Sequence, residues 1–68
     1  LLSAVPASAA DECFGNKPAA VRLDECSKLI QSNSKNAAAL HERGRIYLEL
    51  ERYDEASIDL DRVTRLNP

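Results

Sequence analysis

Two cysteines, a single histidine and a scatter of serines and carboxylates are the residues of this chain with chemistry to offer. Twelve residues lie between Cys13 and Cys26, and no C-x-x-C occurs, which argues against a redox dithiol. Zinc would need more ligands, and nothing clusters around His41, so no metal and no cofactor is expected. Ser27, Ser57 and His41 could supply a nucleophile and a base, but nothing places them together, and there is no glycine-rich phosphate loop. The acids near the end, Asp54, Glu55, Asp59 and Asp61, read as a solvated face. No catalytic residue is therefore expected, and the segment reads as not an enzyme. What remains for the cysteines is structural: a disulfide, or two separate buried thiols packing as small hydrophobes.

Compartment weighs on that choice. Leu1 to Ala10, LLSAVPASAA, is apolar, small and uncharged, and contains Pro6. It is shorter than the ~20 apolar residues that span a bilayer, so no stable membrane span is expected. It matches the remnant of a secretory signal peptide, with Ala7-Ser8-Ala9 or Ser8-Ala9-Ala10 as the small residues before the cut. A disordered alanine-rich tail or a short helix is the alternative. A lipid-attachment site at Cys13 is disfavoured, because Asp11 and Glu12 precede it. The expectation is an exported protein, periplasmic or extracellular, in which an even cysteine count favours a Cys13–Cys26 disulfide. The chain does not start with Met and stops at a proline, so it is expected to be a piece of a longer protein.

The elements that must position these residues are helices. With 68 residues the chain holds one small domain at most. Ala, Leu, Glu and Arg outnumber β-branched residues, and two glycines and three prolines are few breaks, so the class is all-α. A net charge of -2 lacks the basic footprint that nucleic acid requires. Ala19, Leu23, Cys26 and Ile30, with Leu29 beside them, recur at helical spacing and predict a first helix over about 17–31. Pro18 suits its first turn, Asn16 or Lys17 its cap, and Gly15 leaves the chain free to turn back toward Cys26. Ser32 to Asn36 is a polar break, and Asn36 can cap the next helix. Leu40, Gly44 and Tyr47 share a face of that helix, over about 37–50. Tyr53, Ala56, Leu60 and Val63 form the stripe of another over about 53–66. The short turn at Glu51 and Arg52 makes these two antiparallel. Gly44 costs about 1 kcal/mol in mid-helix, and close approach of the second helix near Ala56 would offset it.

The spacing Leu40, Gly44, Tyr47, Tyr53, Ala56, Leu60 and Pro68 resembles the tetratricopeptide repeat signature. HERGRIYLELE resembles the first helix of that repeat, and RYDEASIDLDRVTRLNP the second. Residues 37–68, 32 in all, cover nearly the whole period of roughly 34. The family often has Trp where Leu40 stands, Leu at Arg43, Gly at Glu51 and Ala at Val63, and its aliphatic positions fall on Ser57 and Thr64. The resemblance implies an antiparallel helix hairpin preceded by one capping helix, three helices in all. Residues 11–36 would then be an N-terminal cap with the disulfide in place of a missing helix, as at the start of exported bacterial proteins of this family.

By the same resemblance the chain is the N-terminal part of a repeat array, a protein–protein interaction scaffold whose partner is a protein or peptide. A docking or regulatory segment of a longer enzyme is the alternative. Such arrays bind on the side lined by the first helix of each repeat, which here presents Ala38, His41, Arg45 and Leu48, with Glu49 at the edge. Arg45 suits an acidic peptide group, although Arg45 and Glu49 are also spaced as an i,i+4 ion pair. Asp24 with Lys28, and Asp61 with Arg65, read as solvated pairs of that kind. Ile58 lies off the internal stripe, as a lone exposed residue or a contact for a further repeat. Stacked repeats need neighbours, so this segment alone is expected to be marginally stable or to self-associate. Closing the Cys13–Cys26 loop adds about 3 kcal/mol by the chain-entropy estimate. Thiol titration of exported, unfolded, unreduced protein should find no free thiol; two would sink the disulfide and the cap with it.

Overall fold

A computed structural model describes residues 12–67. The expected leader at residues 1–10, Asp11 at the start of the expected cap and Pro68 of the resembled signature lie outside the described residues. The described chain is all-helical: α1 at residues 12–14, α2 Ala19–Ser32, α3 Ala37–Glu49 and α4 Tyr53–Leu66. That is one helix more than the three expected. The extra one is the short turn that carries Cys13, too brief for an apolar period to register.

The start of α2 also differs from expectation. Pro18 is its N-cap, extended at φ -54° and ψ 151°, and no side chain caps the helix. Neither Asn16 nor Lys17 fills that role. The Pro18 carbonyl instead accepts the N–H groups of Val21 and Arg22 at 3.0 and 3.1 Å. A proline biases the residue before it toward extended backbone, which disfavours a helix start at Lys17, and the extended ψ of Pro18 makes Ala19 the first helical residue. The polar break behaves as its composition demands. Asn33 closes α2 by donating to Leu29 O, and its own Oδ1 accepts from Lys35 N. Asn36 Oδ1 then accepts from Ala39 N at 3.0 Å, the side-chain cap of α3.

The link from α3 to α4 is a two-bond reversal. Glu51 N donates to Leu48 O at 3.0 Å and Arg52 N to Tyr47 O at 2.8 Å, which uses carbonyls the helix end leaves open. This geometry needs a left-handed residue, and Glu51 supplies it at φ 60°. An L side chain there costs roughly 1–2 kcal/mol relative to glycine. In α4, Asp54 and Glu55 lie in the first turn and Arg65 in the last, each complementing the helix dipole.

Packing centres on α3. It lies against α2 on one side and α4 on the other, while α2 and α4 do not pack together. The buried set is Cys13, Cys26, Ile30, Ala39, Leu40, Ile46 and Ala56, with Ala19, Leu23, Leu29 and Val63 half-buried around it. Cys13 and Cys26 stand at disulfide distance with Cα atoms 4.7 Å apart, pinning α1 to α2. Tyr53, placed in the apolar stripe by spacing, is instead 62% exposed. It is the first residue of α4, and helical side chains lean toward the N-terminus, which carries its ring past the end of the helix.

Gly44 is buried where α4 comes closest. A Cβ there would lie 2.8 Å from Leu60 Cγ and Cδ2, with Ala56 O at 3.6 Å. The approach is thus made chiefly by the Leu60 side chain, with Ala56 below it. Gly44→Ala should destabilise the chain by about 1 kcal/mol, overpacking of about 2 kcal/mol outweighing the gain of about 1 in helix propensity. Chemical denaturation measures this, and an alanine variant more stable than the parent would contradict the close approach.

Candidate functional site

All five residues expected in the binding groove are exposed on α3. Three of them, Arg45, Leu48 and Glu49, line a cleft of about 390 Å³ together with Arg22 and Glu42. Ala38 and His41 do not line it. The cleft sits at the C-terminal half of α3, where Arg22 reaches across from α2.

The Arg45–Glu49 ion pair does not form. Both Glu49 carboxylate oxygens accept from Arg22 Nη2, at 3.1 and 3.0 Å, while Arg22 Nε donates to Lys17 O at 2.6 Å. The Arg22 side chain is only 14% exposed and so is held between two acceptors. Arg45 has no ion pair among the described residues and lies beside half-exposed Leu48. A cation free to form paired hydrogen bonds, next to an apolar wall, suits a carboxylate-bearing peptide. Helical spacing does not reveal Arg22, because its partner is 27 positions away on another helix.

A second departure lies beneath this face. Asp59, expected on a solvated acidic face, is 1% exposed. Arg43 Nε and Nη2 donate to its two oxygens at 2.7 and 2.9 Å, and Arg43 Nη1 donates to Ser27 Oγ at 3.2 Å. One guanidinium thereby joins α2, α3 and α4. Its hydrogen bonds to Asp59 raise the Arg43 pKa above the ordinary value, against a smaller opposing effect of burial. The guanidinium carbons of Arg43 and Arg52 lie 5.7 and 4.9 Å from the centre of the Tyr47 ring, so two cations stack near the half-buried tyrosine.

A signal for this lock is present in the sequence. Asp59 falls at the i+3 position of the stripe Ala56, Leu60 and Val63, which places it on the buried face. Of the other acids, Glu55 is half-buried and bonded to Arg52, whose hydrogen bond lowers the Glu55 pKa. A lowered carboxylate pKa contributes stability that is present above the unfolded value and is lost as pH falls through the folded one. The Asp24–Lys28 and Asp61–Arg65 pairs form as expected, at 3.4 and 3.0 Å, and are exposed.

The repeat-signature positions fall on both sides of the burial line. Leu40, Gly44 and Ala56 are buried, Tyr47 and Leu60 half-buried and Tyr53 exposed. Ser27 is held by Arg43, while His41 and Ser57 are exposed and make no side-chain hydrogen bond among the described residues. Among the described residues no group of three His, Cys, Asp or Glu could hold a metal ion, and no helix is long and apolar enough to cross a membrane. No protein-family model, curated protein or solved structure matches this chain.

Removing one partner of the lock leaves a charge with little water around it. Asp59→Ala should cost about 2–3 kcal/mol, less than for a fully enclosed pair because the Arg43 side chain keeps 19% exposure. The double variant Arg43→Leu/Asp59→Leu should return to within about 1 kcal/mol of the parent, since apolar replacement of such a pair is often neutral. Helix content followed through a melt distinguishes the two. A double variant no more stable than Asp59→Ala would contradict the lock.

Proposed function

We propose that this chain is a protein-interaction scaffold, the N-terminal part of an array of tetratricopeptide-like helical repeats in an exported protein. The observation that carries the reading is the position of α3. Two of its sides are occupied by α2 and α4, and its remaining face holds Arg45, without an ion pair among the described residues, beside Leu48. That face is the one the resemblance makes a binding surface, and its chemistry suits a peptide with a carboxylate and an apolar residue.

Two further features support the family resemblance. Gly44 and Ala56 occupy the close approach of α3 and α4, where the repeat signature has small residues. Glu51 holds a left-handed turn at the position where that family often has glycine. The paired Cys13 and Cys26 are compatible with an oxidising, exported setting. The exposed side chains of Tyr53 and Ile58 on α4 fit contact with a neighbouring repeat or with a second copy.

Selection of peptides from a displayed random library on the immobilised, oxidised chain tests this reading. Binders should share an acidic residue next to an apolar one. Arg45→Ala and Leu48→Ala should each weaken them about tenfold, the effect of losing roughly 1.4 kcal/mol. A library that yields no binder, or only binders indifferent to both substitutions, would count against the scaffold reading.

A further inference from the structure

A second cleft, of about 280 Å³, is lined by Ser34, Lys35, Arg62, Arg65 and Leu66. It lies where the loop between α2 and α3 meets the last turns of α4. Its charge differs from that of the cleft on α3. There, Arg22 and Arg45 are balanced by Glu42 and Glu49 in the same wall. Here three cations line the wall, with no carboxylate side chain beside them among the described lining residues, in a chain of net charge -2.

Arg65 is engaged by Asp61 at 3.0 Å, although its side chain remains 79% exposed. Lys35 and Arg62 have no ion pair among the described residues. The Lys35 backbone N–H donates to Asn33 Oδ1, which fixes the loop and leaves the side chain as its free donor. Lys35 and Arg62, two unpaired like charges at one cleft, repel one another, and a bound anion relieves that repulsion. Ser34 adds a neutral donor. Leu66, 37% exposed, adds an apolar contact that a bare inorganic anion would not use.

From this charge complementarity we infer that the cleft docks an acidic segment of a partner protein, with two carboxylates on Lys35 and Arg62 and an apolar side chain against Leu66. The inference rests on the scaffold reading and adds to it a second contact surface. Arg62 forks onto one carboxylate, Lys35 meets the other as a point charge, and the attraction weakens as salt screens it.

Residue-resolved NMR titration of the oxidised chain tests it, with a blocked Glu-Glu-Leu-Glu-Glu peptide as probe. The glutamine version of that peptide and inorganic phosphate serve as controls at matched ionic strength. The acidic peptide should shift the amides of Ser34, Lys35, Arg62, Arg65 and Leu66 saturably, and the glutamine peptide should not. Lys35→Ala and Arg62→Gln, both at exposed positions, should each weaken binding about fivefold, the scale of one solvent-exposed ion pair. Leu66→Ala should weaken the peptide but not phosphate, and Arg45→Ala should leave this site unchanged. Shifts confined to the Arg45 and Leu48 face would overturn the second site while leaving the scaffold reading intact. Phosphate binding as tightly as the peptide, with no effect of Leu66→Ala, would overturn the peptide assignment.

Discussion

The paired hydrogen bonds between Arg43 and Asp59 are the constraint on which the rest of the arrangement depends. A carboxylate with almost no exposure is tolerable only when its oxygens are occupied, and one guanidinium occupies both. The third contact of that guanidinium, to Ser27, brings in α2. Since α2 and α4 do not otherwise pack together, this side chain is a polar link between two elements that share only α3 as a neighbour. The buried apolar side chains are few: Leu40, Ile46 and Ile30 are the large ones, and Ala39 and Ala56 bury little surface each. In so thin a core, a polar lock fixes rotation and register more sharply than the alanines can.

The helices are legible in the sequence because their signals are local. The polar break, the Asn36 cap and the apolar periods of α2, α3 and α4 lie within a few residues of what they control, and the last helix has the bounds its pattern gives. The start of α2 is less legible, since Pro18 suits both the first turn and the residue before it, and its extended ψ decides between them. The side-chain partners are the least legible. Glu49 has one candidate partner four residues away on its own helix and another on α2, and spacing shows only the first. Residue type misleads at Asp59, because acids are usually solvated, although its place in the apolar stripe points inward. An arginine at position 43, where the resembling family often has leucine, is the complementary sign that a buried charge needs an answering one.

The exposed surface reflects the same small number of contacts. Because α3 is covered on two sides, its exposed polar residues His41, Arg45 and Glu49 gather on the third, and Arg22 of α2 reaches over to hold Glu49. That contact neutralises Glu49 and leaves Arg45 as the free cation of its cleft. At the other side of the molecule the loop and the end of α4 leave Lys35 and Arg62 without ion-pair partners among the described residues. Lys17 aside, the cations without an ion pair among the described residues thus fall in two clefts. Each lies beside a leucine, Leu48 in one and Leu66 in the other.

Glu51 makes the hairpin depend on contacts beyond its own turn. A hairpin whose turn carried glycine would favour its own closure, and the two helices could meet early and in isolation. With a glutamate forced to positive φ, the reversal is locally uphill and forms only when contacts distant in sequence compensate. The burial of Asp59 and the seating of Leu60 over Gly44 supply them. The bend between α3 and α4 therefore owes its stability to tertiary packing rather than to its own turn residue.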